Sequence, residues 1–225
     1  MRNKEPENNF LQKVRDLATK RNIVLIFDEC TSGFRETFGG LHLKYNIQPD
    51  IAVFGKALGN GYPITAIIGR RQIMEAAQST FISSTFWTDR IGPTAALKTL
   101  EIMEKEKSWE KITTLGLRMR HCLQSISKKY DIKLDYQGIP ALTGFTFKNE
   151  KSLHYKTLIT QEMLKKGLLA GTSCYLSIKH TAKIIDRFFY ELDPIFGLIK
   201  ECEQGRDVNL LLDGPVCDSG FKRLN

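Results

Sequence analysis

Two charged residues near the start of the sequence occupy positions where a ligand could bind between them. Asp28 follows the apolar run 23–27, and Lys56 follows a second apolar run, 51–54, after a single glycine, Gly55. Ligands of open α/β sheets bind in the crevice outside the carboxyl ends of the strands, so a carboxylate and an amine at two such ends would face one crevice. Each residue alone also has an ordinary explanation, because a strand-end aspartate often caps a turn and a lysine in a glycine-rich loop is often solvated. Because the two residues occur together at adjacent strand ends, the ligand-binding interpretation and the ordinary structural one both remain open.

The segments around this pair predict a sheet with helices packed against it. The continuous, β-branched run 23–27 is typical of a buried strand in a parallel sheet that is covered on both faces. Similar runs at 51–54 and 64–68 predict two further strands. Apolar residues at helical spacing predict helices over 10–21 (with Asn8 or Asn9 as the cap), 71–78, 93–107 and 109–129. Strands that alternate with helices predict an α/β fold.

The character of the sequence changes near residue 110. Beyond this point, a strand is predicted over 142–147 and helices are predicted over 152–166 and 181–201. We therefore expect a large α/β domain over 1–109 and a smaller α+β domain over 110–225.

The composition narrows the class of protein. With 42% hydrophobic and 26% charged residues among 225, the chain is expected to fold rather than remain disordered. No apolar run approaches the ~20 residues of a membrane-spanning helix, and the polar start has no signal-peptide pattern, so we expect no membrane partner.

Five cysteines without a C-x-x-C pair predict free thiols and a cytoplasmic location. The net charge of +8 comes from dispersed lysines and arginines, which favours a solvated surface over a nucleic-acid partner, and the histidines lack metal-site spacing.

Four sequence blocks in a fixed order resemble the core signature of the class III pyridoxal-phosphate-dependent aminotransferases. The blocks are Phe27-Asp28-Glu29 with Thr31-Ser32-Gly33-Phe34-Arg35 and Gly39-Gly40; Gln48-Pro49-Asp50-Ile51; Gly55-Lys56-Ala57-Leu58-Gly59-Asn60-Gly61-Tyr62-Pro63; and Ser84-Thr85-Phe86 before Gly92-Pro93-Thr94-Ala95-Ala96. The Gly-Phe-Arg block with the Gly-Gly pair is most similar to the glutamate-1-semialdehyde aminomutase branch. The resemblance is specific over 10–107 and loose beyond it. It implies the large domain of a fold type I transferase, mainly a parallel sheet with helices, followed by a small C-terminal domain.

The resemblance also implies roles for four residues. Lys56 would form the Schiff base with pyridoxal phosphate and carry the proton between substrate and cofactor, for which its amine must be neutral. Asp28 would pair with the pyridine nitrogen and keep it protonated, so that the ring acts as an electron sink. Thr85 would donate a hydrogen bond to the cofactor phosphate in the partner subunit's site, which implies a homodimer. Thr31 stands where many members have a glutamine near the ring hydroxyl. A small-molecule amino donor and a carbonyl acceptor would be the substrates.

The resemblance covers only part of such an enzyme. Family members have an N-terminal half that holds the glycine/serine loop and helix N-terminus for the phosphate, and nothing before Asn8 resembles it. We therefore expect the chain to correspond to a fragment that lacks this half and to bind the cofactor weakly alone. Three functions remain open: an aminotransferase, a glutamate-1-semialdehyde 2,1-aminomutase, and a catalytically inactive truncated remnant.

Overall fold

The computed structural model describes residues 5–82, 85–218 and 220. These residues divide into two compact units, Glu5–Thr113 and the residues from Thr114 onward. No helix in the described part of the chain is both long enough and apolar enough to cross a bilayer.

The first unit contains a three-stranded mixed sheet in the order β1-β2-β3. β1 (Ile26–Asp28) runs parallel to β2 (Ile51–Phe54), and β3 (Ala66–Gly69) runs antiparallel to β2. In the parallel register Asp28 lies opposite Val53, one residue before the end of β2. The carboxyl ends of β1 and β2 therefore meet at the same edge of the sheet.

The prediction of a strand over 23–27 that is buried on both faces is wrong for this chain. β1 is only three residues long, and Ile23 and Ile26 are 57% and 54% exposed. β1 lies at an edge of the sheet as described, whereas β2 lies in the middle and buries Ala52 and Phe54. A continuous apolar run predicts a strand that is packed on both faces. Within the described residues, only the central strand β2 is close to being buried on both faces.

Helices flank this sheet, and the predicted α/β fold is confirmed. They are α1 (Phe10–Lys20), α2 (Arg71–Met74), which continues as a 3-10 turn (Glu75–Ser79), and α3 (Ile91–Glu106). Asn9 occupies the N-cap of α1, but its φ is 56° and its side chain makes no capping hydrogen bond. Ala96 of α3 packs with Ala52, Phe54 and Leu58 in the core of this unit.

The second unit has its own, larger core. α4 (Ser108–Tyr130) begins in the first unit and continues into the second, where it leads into a hairpin of β4 (Leu134–Gln137) and β5 (Gly144–Phe147). α5 (Ser152–Lys165) and α6 (Ala182–Glu203) follow. One face of the hairpin packs against the long helices through a buried cluster that includes Phe145, Phe147, Tyr155, Leu192 and Phe196. β4 was not predicted, because the four residues Leu134-Asp135-Tyr136-Gln137 are too few to establish a period and acquire their strand form from pairing with β5.

Candidate functional site

Asp28 presents an exposed carboxylate at the end of β1. The backbone N–H of Cys30 donates a 3.0 Å hydrogen bond to its Oδ1. This bond lowers the pKa of Asp28 below its usual value, and the positive charge of Lys56 lowers it further. Asp28 is therefore an ionised group at neutral pH.

Lys56 lies directly after β2 and Gly55, at the same edge of the sheet. Its φ of 43° is in the left-handed region, which is uncommon for a residue with a side chain. The turn that follows holds this conformation, because Leu58 N–H donates to Gly55 O at 3.0 Å, Asn60 N–H donates to Lys56 O at 3.0 Å, and the Leu58 side chain is buried. A side chain held at a sparsely populated backbone conformation is a common feature of functional sites.

Thr31 completes the group. The Lys56 Nζ donates a hydrogen bond to Thr31 Oγ1, across 25 residues of sequence. The structure thus brings Asp28, Thr31 and Lys56 together, all three exposed to solvent at the carboxyl edge of β1 and β2. An ionised carboxylate, a hydroxyl and an amine at one strand edge can bind a ligand that offers a cationic nitrogen and an electrophilic carbonyl group.

Sequence reasoning missed the buried pair beneath these residues. Glu29 is 4% exposed, and its Oε1 accepts hydrogen bonds from the backbone N–H and from Nδ1 of His42, each at 3.0 Å. The Ser32 hydroxyl donates to Oε2 of the same carboxylate. The sequence signal available was a second acidic residue beside Asp28 and a glycine pair, Gly39-Gly40, just before a histidine.

Thr85 lies elsewhere in the first unit. It begins the exposed turn 85–88 before α3, and its neighbour Ser84 lies outside the described residues. Among the described residues, no hydrogen bond joins Thr85 to Asp28, Thr31 or Lys56. The described residues of one chain therefore provide no hydrogen bond through which Thr85 could act together with the other three residues.

Large apolar side chains are exposed around this turn. We call them the 81–97 surface; they are Phe81, Phe86, Trp87, Ile91 and Leu97. An open pocket of about 410 Å³ lies at the start of α3, lined by Tyr62, Arg90, Ile91, Thr94, Ala95 and Lys98. A group of large exposed apolar side chains commonly marks an interaction surface.

Metal ligation has no support in the described residues. They contain no group of three or more histidine, cysteine, aspartate or glutamate side chains that could hold an ion. His42 donates to a carboxylate, and His180 Nδ1 accepts from the Ser177 N–H at 3.0 Å. Both histidines thus have structural partners.

Comparison with known proteins identifies the relatives of this chain. The model of the family "Aminotransferase class-III" matches residues 4–187. A 3-aminobutyryl-CoA aminotransferase from Cloacimonas acidaminovorans is 34% identical over 157 residues, which is 69% of this chain and 38% of that protein. A glutamate-1-semialdehyde 2,1-aminomutase from Methanocaldococcus jannaschii is 27% identical over 208 residues, 85% of this chain and 49% of that protein.

Solved structures show the same fold. The FumI protein of Sphingopyxis sp. MTA144, in a form with pyridoxal phosphate, matches with a TM-score of 0.80 at 23% identity, over 90% of this chain and 50% of that chain. The ornithine aminotransferase of Plasmodium yoelii matches with a TM-score of 0.73 at 25% identity, over 86% of this chain and 54% of that chain. The chain spans about half the length of these proteins, and less of the Cloacimonas relative.

Proposed function

Because the chain belongs to the class-III aminotransferase family, we propose that it carries the lysine-bearing part of the active site of a pyridoxal-phosphate-dependent transaminase. The complete enzyme would move an amino group from a small-molecule amino donor to a carbonyl acceptor. The observation that carries the proposal is the meeting of Asp28, Thr31 and Lys56 at the carboxyl edge of two parallel strands.

The chemistry of these residues fits pyridoxal phosphate, the cofactor of the family. The lowered pKa of Asp28 keeps an exposed anion available for a protonated ring nitrogen, and Lys56 offers a primary amine at the same edge. When bound, the cofactor supplies the aldehyde that accepts the amino group and the ring that withdraws electrons from the reacting carbon. Asp28 would hold the ring nitrogen, and Lys56 would be the residue of attachment.

Within the chain, Thr31 positions the amine of Lys56. Its oxygen accepts from the Lys56 Nζ, so the amine is directed toward the loop after β1 rather than rotating freely in solvent. A lysine that acts as nucleophile and proton carrier must lose and regain a proton at Nζ. A neutral hydroxyl can accept from the charged amine and donate to the neutral one, and Thr31 would therefore hold Nζ in both states.

A homodimer with shared sites belongs to the same proposal. The exposed 81–97 surface supports it, since burial of these side chains against a second copy would remove a large apolar area from water. Thr85 lies within this segment, and the resemblance to the family implies that its hydroxyl would donate to the cofactor phosphate in the partner's site. The five free cysteines support a reducing, cytoplasmic location.

An aminomutase is the second candidate. It is favoured by the similarity to the M. jannaschii aminomutase, which covers 85% of this chain, and by the block Gly33-Phe34-Arg35 with Gly39-Gly40. The two reactions differ in one requirement: a transaminase needs a separate amino acceptor, and a mutase acting on glutamate-1-semialdehyde does not. Consumption of an amino donor that depends on an added keto acid favours the first, and isomerisation without any keto acid favours the second.

The attachment residue can be tested on the chain itself. The protein is incubated with increasing concentrations of pyridoxal phosphate, reduced with borohydride, digested and mapped by mass spectrometry. We expect the label on Lys56 at low cofactor concentration, ahead of the other exposed lysines, and its loss in Lys56→Arg. Preferential labelling of another lysine would refute the assignment of Lys56. Lys98→Arg is the control, because Lys98 is exposed and on α3 and should not change the pattern.

A further inference from the structure

The buried carboxylate of Glu29 is stabilised by three donors in the loop that follows it. The backbone N–H and the Nδ1 of His42 donate to Oε1 at 3.0 Å each, and the Ser32 hydroxyl donates to Oε2. Desolvation of a carboxylate that is 4% exposed is unfavourable unless its oxygens accept hydrogen bonds, so these three bonds stabilise this conformation of the loop. The Phe27 and His42 rings also pack, with centroids 5.9 Å apart.

Two glycines allow the loop to close this tightly. A Cβ on Gly40 would overlap the His42 ring and lie 3.0 Å from Glu29 Oε1. A Cβ on Gly33 would lie 2.7 Å from the Phe54 side chain and 2.8 Å from the Glu29 carbonyl oxygen. Gly33 N–H also donates to Glu29 O at 2.8 Å. The segment 29–42 is therefore closed upon the carboxyl end of the sheet by contacts that leave no room for a side chain.

Glu29 and Ser32 flank Thr31, the residue of the loop that contacts Lys56. Thr31 lies between Glu29 and Ser32, which are themselves joined by a hydrogen bond, and Thr31 Oγ1 accepts from Lys56 Nζ. Asp28 immediately precedes Glu29, and its carboxylate accepts from Cys30 N–H inside the same turn. A shift of this turn by about 1 Å would break a hydrogen bond of the kind that Thr31 makes, because such bonds weaken beyond about 3.2 Å.

We propose that Glu29 and His42 form a positioning pair that holds Thr31 against the Nζ of Lys56. The pair touches neither substrate nor cofactor, and it acts through the loop between its two members. The role of this positioning in catalysis rests on the proposed function. The contact between Thr31 and Lys56 does not, because it is present in the chain without any ligand.

The test measures the reactivity of Lys56 without cofactor. The folded chain is labelled for short times with formaldehyde and a mild borohydride reagent, and the rate at Lys56 is divided by the mean rate at the other exposed lysines. Thr31→Val removes the contact directly and defines the value for a released amine. For Thr31→Val we expect a Lys56 labelling ratio at least threefold above that of the parent chain. The ratios of Glu29→Gln and His42→Leu should approach the Thr31→Val value. His42→Gln supplies an amide donor to Glu29 and should return the ratio toward the parent value.

A matched control separates positioning from general destabilisation. Asp50 is 6% exposed and accepts from Leu25 N–H and from Arg15, both at 2.8 Å, at the opposite end of the same two strands. Asp50→Asn should lower the urea midpoint about as much as Glu29→Gln while leaving the Lys56 ratio unchanged. Hydrogen exchange should rise in the peptide that contains Gly33 only in the Glu29 and His42 variants.

The outcomes decide the proposal. An unchanged Lys56 ratio in Glu29→Gln and His42→Leu, or an equal change in Asp50→Asn, would show that the pair is merely structural. If Glu29→Gln does not fold, Ser32→Ala removes a single donor from the same carboxylate and answers the same question. Failure of pyridoxal phosphate to label Lys56 would overturn the proposed function and leave this result standing, because the reagent here is formaldehyde.

Discussion

Replacing Tyr155 by phenylalanine should stabilise this protein, although the side chain is fully buried. Tyr155 is 0% exposed on α5, and its ring packs edge-on against Phe147 with centroids 5.2 Å apart. Its hydroxyl oxygen is buried and makes no hydrogen bond within the part of the chain that the structure describes. Phenylalanine would keep the ring contacts and remove the unpaired group.

The size of the effect follows from the cost of the hydroxyl. A buried polar group without a partner costs about 1–3 kcal/mol, from which the loss of a few van der Waals contacts of one oxygen must be subtracted. We therefore expect Tyr155→Phe to raise the free energy of unfolding by about 1 kcal/mol at neutral pH. Tyr130→Phe is the matched control with the opposite sign, because the Tyr130 hydroxyl donates to Asp193 Oδ2 at 3.0 Å and its loss should cost about 1 kcal/mol.

The stabilisation should grow in alkaline solution. Burial raises the pKa of Tyr155 to about 12, because the phenolate would lose its hydration, and the negative charge of Glu203 adds to the shift. The unfolded tyrosine titrates near 10, so above that pH the unfolded state releases a proton that the folded state retains. The parent chain therefore loses stability as pH rises from about 10 toward 12, by at most about 3 kcal/mol, and the variant lacks this loss.

Urea unfolding at pH 7, 9, 10 and 11 measures both effects, with the difference between variant and parent taken at each pH. The expected result is a positive difference at pH 7 that widens above pH 10. A Tyr155→Phe variant that is less stable than the parent, with a difference independent of pH, would show that the hydroxyl has a partner and would refute the reasoning.

Three further predictions concern the site and the helices. Asp28→Asn should keep the covalent labelling of Lys56 by pyridoxal phosphate and borohydride but slow amine transfer in the assembled enzyme by about 100-fold or more, measured as single-turnover absorbance change; an unchanged rate would remove Asp28 from the mechanism. Thr85→Ala and Lys56→Ala subunits should each be inactive alone and regain part of the activity in demonstrated mixed dimers, because one of the two sites then has both residues; no recovery would mean that Thr85 acts within its own chain. Gly116→Ala should lower the thermal midpoint, although alanine usually stabilises a helix by about 0.5–1 kcal/mol, because its Cβ would overlap a neighbouring backbone carbonyl; Gly197→Ala, where the nearest atom lies 3.5 Å away, should raise it.

The local pattern of the sequence was sufficient for most of the helices and for the position of β2. α1 and α3 lie within a few residues of their predicted bounds, and β2 coincides with the apolar run 51–54. Helical periodicity depends on residues three and four apart, which a sequence shows directly. The positions of Asp28 and Lys56 after two apolar runs likewise placed them at strand ends.

The bonds of the Glu29–His42 pair could not be predicted in the same way. The two residues are 13 positions apart, and only the closure of the intervening loop brings the histidine ring to the carboxylate. From the sequence, His42 was interpretable as a surface or structural histidine without a ligand at metal spacing, and its partner could not be named. Gly33 and Gly40 lie within this loop and permit its closure, because a side chain at either position would overlap a neighbour.

The sequence by itself determined the family, the α/β class and the types of residue at the strand ends, since these depend on local periodicity and on motif order along the chain. Only the tertiary structure decided that Thr31 contacts Lys56, that β1 is short and exposed, and that the buried hydroxyl of Tyr155 has no hydrogen-bond partner among the described residues. The physical reason is the same in all three cases. Burial and hydrogen bonding depend on which distant segments meet, and the short-range pattern of a segment records what it prefers but not what finally packs against it.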